Sequence, residues 1–403
     1  MASMNTSAQR CDAQRPRVAV VYHFFAHYRT AVIGRLAQST KARFTFFGDD
    51  HDYESSIKAA EFGPSVDYRA CPTRRVWGSC MWQPGLVRVA ASREFEQLIL
   101  LANPYWIATW IGAIVGRLTG KRVIFWSHGF LTPPKGIKGL VRRVFHRLAH
   151  THLFYGRTAK QIATASGWDP ARIHVIGNSL DLDRQRVARD AIDAAAIAAC
   201  RKALFARPEL PTVICSCRLV AEKRIDLLLR AAEMLSNLGE PINVVIIGDG
   251  PERARLQEFV RSHQLSAHFE GQCYEEARIA LLTMSSDLTV CPGFVGLTAI
   301  QSMAYGVPVI TNKRSGDDAP EVEAIVPGLT GDLFEEGDAD DLVAVMRSWL
   351  RRPSMGHSYP NACIEIIERY WSPDSQLRVL EEAVTGVPPT ECDYPAPPSS
   401  IQS

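Results

Sequence analysis

Cysteine is sparse and scattered in this 403-residue chain, ten in all, and no two form a CxxC pair. That spacing excludes a disulfide scaffold and offers no thiol pair for zinc or redox work. Cys215 and Cys217, one serine apart, read as small core residues on a buried strand. A leader is also lacking: MASMNTSAQRCDAQRPR is polar throughout, without the charged-then-apolar order of a signal peptide. Residues 1–16 therefore read as a disordered tail, and a reducing cytoplasm is the expected compartment. One uncharged run, the nineteen positions 98–116, approaches the length of a membrane span. Asn103-Pro104 interrupts it, so it reads as a buried strand ending near Ala102, a turn, and a helix from Tyr105 to about Leu118. Net charge is almost absent as well, at +2, but residues 1–200 carry 27 basic and 14 acidic side chains and residues 201–403 carry 18 and 29. The two halves are expected to meet different partners. No motif interleaves aromatics with the basic residues, which argues against nucleic acid.

What is present is an ordinary globular mixture, 46% apolar and 22% charged, long enough for two domains. Short β-rich runs recur with helical segments between several of them. RVAVVY (17–22), ARFTFF (42–47), 98–102, RVIFW (122–126), THLFY (151–155) and IHVI (173–176) fall in the first half. TVICSC (212–217), NVVIIGDG (243–250), HFEG (268–271), DLTVCP (287–292) and VPVIT (307–311) fall in the second. The stretch 50–95 declares no element. This alternation predicts an α/β chain of two doubly wound domains. The first covers 17–182 and the second 209–371, with 183–208 as a linker and a proline-rich, disordered tail over 386–403.

In open parallel sheets ligands bind beyond the carboxyl ends of strands, and four such loops carry chemistry. After TVICSC, Arg218 and Lys223 stand five apart before a helix, either a clamp for a diphosphate or a solvated charged loop. After NVVII, Gly248-Asp249-Gly250-Pro251 allows close backbone approach and starts a helix. After DLTVCP, Gly293-Phe294-Val295-Gly296 runs into a helix opening at Leu297, where backbone N–H groups and a positive helix end form an anion cradle. After RVIFW comes Ser127-His128-Gly129, whose histidine is either functional or structural. Within 135–148, Leu140, Val141, Val144, Phe145 and Leu148 form an apolar stripe opposite cations. That pattern suits either an anionic membrane surface, with contact through 137–148, or an ordinary domain helix.

Taken in order, SCRLVAEKRIDLLLRAAEML, VVIIGDGPERARL, DLTVCPGFVGLTAIQSMAYGVPVIT and PEVEAIVPGLTGDLFEEGD resemble the donor domain of family 4 (group 1) retaining glycosyltransferases of the GT-B fold. The likeness spans 209 to about 371. HFFAHYR, WSHG and FYGRTAKQIATASGWDPARIHVIGNSLD agree more loosely in the first half. The resemblance implies a cleft between an acceptor-binding first domain and a nucleotide-sugar-binding second one, with a last helix, 372–385, crossing back to the first. It implies transfer of a hexose from a nucleoside diphosphate sugar without metal or other cofactor. His128, Arg218 and Lys223 are then the catalytic residues. Gly248, Gly250, Gly293, Phe294, Val295, Gly296, Leu297 and Gln301 bind the donor, and His27 and Arg29 bind the acceptor. Asn178, Ser179 and Asp181 match a strand-end motif with hinge or structural duty.

One departure stands out. The family's two glutamates, eight positions apart, correspond to Gly293 and Gln301. Glutamine keeps an acceptor for ribose hydroxyls, whereas glycine leaves only backbone. Glu321, in the loop after VPVIT, is a candidate replacement carboxylate. The first half's charge suggests an anionic acceptor, glycan or lipid-linked, at the inner membrane face. Two readings follow: an active glycosyltransferase in polysaccharide or glycoconjugate assembly, or a catalytically silent nucleotide-sugar sensor or partner subunit.

Overall fold

The computed structural model describes residues 15–50, 58–77, 80–130, 132, 136–313, 319–352 and 359–390. Most of the two expected tails, 1–14 and 391–403, lies outside the described residues. The chain divides into two compact units, one running to Asp181 and resuming at Pro373, the other covering 182–372.

The first unit is built on strands β1 (Arg17–Phe24), β2 (Arg43–Asp49) and β3 (Tyr68–Ala70), a hairpin of β4 (Arg74–Trp77) and β5 (Cys80–Trp82), then β6 (Gln97–Leu101), β7 (Arg122–Ser127), β8 (Thr151–Phe154) and β9 (Ile173–Val175). Seven of these form a parallel sheet in the order β3-β2-β1-β6-β7-β8-β9. Continuous apolar runs are what a strand covered on both faces needs, and Val18 to Val21, Leu98 to Leu100 and Val123 to Phe125 are buried. The run 98–116 divides as its turn residues dictate, into β6 and a helix, Ile107–Leu118. Among the described residues no helix is long and apolar enough to cross a membrane. The stretch 50–95, unreadable as sequence, holds β3, the β4–β5 hairpin and a helix, Pro84–Ala91.

The last helix, Pro373–Thr385, belongs to this first unit. Val379, Leu380, Ala383 and Val384 enter the same core as Val18, Val20 and Leu36. Polar ties fix its register. The buried Gln376 accepts a hydrogen bond from the Ser179 hydroxyl at 2.6 Å and donates to the Gly177 carbonyl at 2.9 Å. Glu381 accepts from Ser39 at 2.8 Å and pairs with Lys41 at 3.0 Å. Ser179 thus has the structural duty that its strand-end position suggested.

The second unit carries β10 (Thr212–Ser216), β11 (Asn243–Ile247), β12 (Ser266–Gly271), β13 (Leu288–Cys291), β14 (Val309–Lys313) and β15 (Gly331–Glu335), all parallel in the order β12-β11-β10-β13-β14-β15. The segment 183–208 is not a linker. It forms helices Leu182–Asp190 and Ala194–Leu204 within this unit. Cys200 and Phe205 pack with Ile214, Val245 and Leu282, while Arg201 reaches Asp287 at 2.8 Å. Mixed charge on the outer faces hid the narrow apolar stripe that docks them.

Replacing Gln376 with leucine keeps the volume but strands the Ser179 hydroxyl and the Gly177 carbonyl. That should cost about 1–3 kcal/mol, read as an earlier unfolding midpoint in a urea titration followed by tryptophan fluorescence.

Candidate active site

In the second sheet the strand order reverses between β10 and β13, so the loops beyond their carboxyl ends diverge there and leave a crevice. Three loops meet at it, backbone against backbone. A Cβ added to Gly248, which has φ +130°, would sit 1.9 Å from the Cys217 carbonyl oxygen. One added to Gly250 would sit 2.3 Å from the Leu219 oxygen, and one at Gly293 2.2 Å from the Glu222 oxygen. Main-chain hydrogen bonds hold this contact, from Leu219 N–H to Asp249 O at 3.0 Å and from Gly293 N–H to Lys223 O at 3.1 Å. A glutamate at 293 would have to enter space already filled by the 222–223 backbone, which is the physical reason for the departure noted in the sequence.

Lys223 ends a single 3-10 turn, Ala221–Lys223, and its Nζ donates to the Phe294 carbonyl at 2.6 Å while lying 4.7 Å from the Phe294 ring centre. The cation is thereby set beside the glycine loop. Arg218 is exposed and makes no side-chain hydrogen bond or ion pair among the described residues. Gly296 opens the helix Leu297–Ala304 with no side-chain cap, and a Cβ there would meet open space. The first-turn N–H groups of that helix therefore face a site able to take an anion. Thr298, absent from the sequence reading, fixes the helix start by donating from Oγ1 to the Ser216 carbonyl at 2.9 Å.

The donor-site candidates do not all point their side chains at the crevice. Val295 is 2% exposed and serves the core, so only its backbone is available. Phe294 is exposed and Gln301 half-buried one turn into the helix. Glu321 is buried in the 3-10 turn Pro320–Ala324, which packs against the same helix.

The first sheet has its own reversal, between β1 and β6, and there a pocket of about 560 Å³ opens at the ends of β1, β6, β7 and β8. Its floor is Arg29, 8% exposed, with its guanidinium 5.0 Å from the Tyr22 ring centre, 5.1 Å from Trp126 and 5.7 Å from Tyr155. It donates to the Tyr155 hydroxyl, which lies 3.1 Å from that of Tyr22. Among the described residues no carboxylate pairs with it. A buried cation held by aromatic faces and hydroxyls retains its charge for a ligand.

His128, also lining this pocket, sets its ring 4.8 Å from that of Tyr155, tilted by 47°. Crowding by protein, and then the Arg29 charge, pushes its pKa below the ordinary 6.5. Its turn is pinned: Gly129, at φ +73°, has no room for a Cβ against Ala159 and Phe154, and its carbonyl accepts from Arg142 at 3.1 Å. His27 fares differently from Arg29. The 3-10 turn His27–Arg29 sends Arg29 inward and leaves His27 exposed and outside the pocket lining, its backbone N–H bound to Lys58 O at 3.0 Å. Tyr22, Trp126 and Tyr155 escaped the sequence reading, although Trp126 and Tyr155 sat in WSHG and FYGR.

Residues 197–368 match the family model of group 1 glycosyl transferases. The chain is 23% identical over 324 residues to D-inositol 3-phosphate glycosyltransferase 2 of Catenulispora acidiphila, covering 73% of this chain and 72% of that one. Over 101 residues it is 34% identical to a GDP-mannose-dependent alpha-(1-6)-phosphatidylinositol dimannoside mannosyltransferase of Mycobacterium tuberculosis, covering 24% of this chain and 26% of that one. Among solved structures, Anabaena HepE in complex with UDP superposes with a TM-score of 0.67 at 15% identity, over 92% of this chain and 100% of that one. The fold is GT-B.

His128 should titrate below pH 6.5 in an NMR titration of its ring C–H resonances, being neutral at pH 7 and gaining its proton only under more acidic conditions. Arg29→Met removes one of the two causes and should move the titration upward.

Proposed function

We propose, from the match of residues 197–368 to the family model of group 1 glycosyl transferases, that the chain transfers a hexose, with retention at the anomeric carbon, from a nucleoside diphosphate sugar to an anionic acceptor in glycoconjugate synthesis. The observation that carries this reading is the crevice between β10 and β13. Lys223 stands there with close-packed glycine backbone and an uncapped helix start, and Arg218 lies exposed on the loop between β10 and Lys223.

The chemistry asks little more of the protein. As the bond from sugar to diphosphate breaks, the leaving phosphate gains negative charge. Lys223, Arg218 and the N–H groups at Gly296 and Leu297 stabilise that charge more in the transition state than in the ground state. In this reading the cations and helix end neutralise the diphosphate without a metal. Gln301 accepts from ribose hydroxyls through its amide oxygen. Glu321 supplies the carboxylate for the sugar that Gly293 cannot. His128, held neutral, hydrogen-bonds the transferred sugar without adding a charge near the reacting carbon.

Arg29 is assigned to the acceptor. A buried guanidinium among aromatic rings suits a phosphate or carboxylate on the incoming molecule. Two of the matched relatives are named for inositol 3-phosphate and for a phosphatidylinositol dimannoside, both phosphate-bearing, which supports an acceptor of that charge.

A thermal-shift panel of UDP, GDP and ADP should identify one base that stabilises the protein. The matching nucleotide sugar should then release free nucleotide in the presence of a membrane extract, with or without EDTA. Lys223→Ala should lower kcat at least a hundredfold, by analogy with removal of one transition-state donor at roughly 3–4 kcal/mol. Arg29→Met should raise the acceptor KM and leave nucleotide binding unchanged. Binding without release under any extract contradicts transfer; EDTA-abolished release contradicts the metal-free part alone.

A further inference from the structure

Between Glu96 and Asp169 the sequence contains no acidic residue and ten lysines and arginines. This stretch includes the helices Ile107–Leu118 and Gly136–His146, which follow β6 and β7. Successive right-handed crossovers lay both on one face of the first sheet. There they share a core, with the Trp110 and Phe145 rings 4.8 Å apart and Phe125 beneath.

Their outer faces are not polar. On the first helix Ile107, Ile111, Ile114 and Leu118 are exposed by 43, 37, 43 and 81%, one residue per turn along a single stripe. On the second, Ile137, Leu140, Val141 and Val144 are exposed by 83, 60, 46 and 46%. Scattered exposed aliphatics need no explanation, but an exposed apolar stripe on each of two helices that share a core is more than scatter. Beside the end of the second helix, Arg143, Arg147 and Arg172 line a pocket of about 280 Å³ together with Trp168 and one carboxylate, Asp169. Arg143 and Arg147 make no ion pair among the described residues, and Arg172 reaches only Asp169, at 3.7 Å.

We propose that this two-helix face docks on an anionic lipid bilayer, the aliphatic stripes entering the headgroup region and the arginine pocket receiving a lipid phosphate. Charge complementarity selects this occupant, since the apolar face lies in a segment carrying charge of one sign only, and neither helix is long enough to span a bilayer. The contact would hold the enzyme on a membrane whichever sugar it transfers, so the inference goes beyond the donor chemistry.

The test is co-sedimentation of the full chain with vesicles of phosphatidylcholine alone or phosphatidylcholine mixed with phosphatidylglycerol. The protein should pellet with the mixed vesicles, at least tenfold more than with the neutral ones, and salt should weaken the binding. Two double variants separate the contributions. Ile137→Ser with Leu140→Ser should reduce pelleting at least tenfold at any salt, and Arg143→Glu with Arg147→Glu should abolish the preference for anionic vesicles. Both should keep wild-type thermal midpoints and nucleotide-induced shifts, because these side chains are exposed and belong to the other unit. Equal pelleting with both vesicle types, no pelleting with either, or wild-type pelleting by both variants would overturn the proposal.

Discussion

Backbone meeting backbone without side chains between is the constraint on which the crevice between β10 and β13 rests. At Gly248, Gly250 and Gly293 an added Cβ would lie about 2 Å from a neighbouring carbonyl oxygen, well inside any tolerable contact. Once these loops are closed in this way, Lys223 can reach the Phe294 carbonyl and stand beside the uncapped helix start at Gly296. The same closeness excludes a carboxylate at 293. The loss of a charge and the gain of a tight main-chain cradle are two results of one packing choice.

The first unit solves a different problem with different materials. It keeps a guanidinium uncompensated by any described carboxylate, yet nearly out of solvent, by surrounding Arg29 with Tyr22, Trp126 and Tyr155. Removing such a charge from water is costly, and aromatic faces and hydroxyls offset only part of that cost. Burial, and then the same cation, lower the His128 pKa, so the charge held among the aromatic rings also bears on the protonation of its neighbour.

Much of this was legible in the sequence, for identifiable reasons. Strands buried on both faces announce themselves as unbroken apolar runs, so most of β1, β7, β10 and β11 could be read directly, and Asn103-Pro104 correctly divided a stretch that mimics a membrane span. The glycine loops were legible because each is a contiguous motif after a strand. The aromatic cage was not, because Tyr22, Arg29, Trp126 and Tyr155 come from four separated places and only the fold brings them together. The helices over 183–208 were misread as a linker because their apolar contacts are few and their outer faces highly charged. His27 and Arg29 looked equivalent in sequence, and one 3-10 turn separates the exposed residue from the buried one. At Gly293 the residue was visible but its cause was not, since the clashing backbone lies seventy positions earlier.

The account turns on the diphosphate lying against the glycine loops. The most direct measurement is a crystal structure of the chain with the nucleoside diphosphate that stabilises it most. The phosphates should accept hydrogen bonds from the N–H groups at Gly296 and Leu297, with Lys223 and Arg218 in contact with them. A nucleotide bound anywhere else, or one whose phosphates point away from the crevice between β10 and β13 into solvent, would contradict the account.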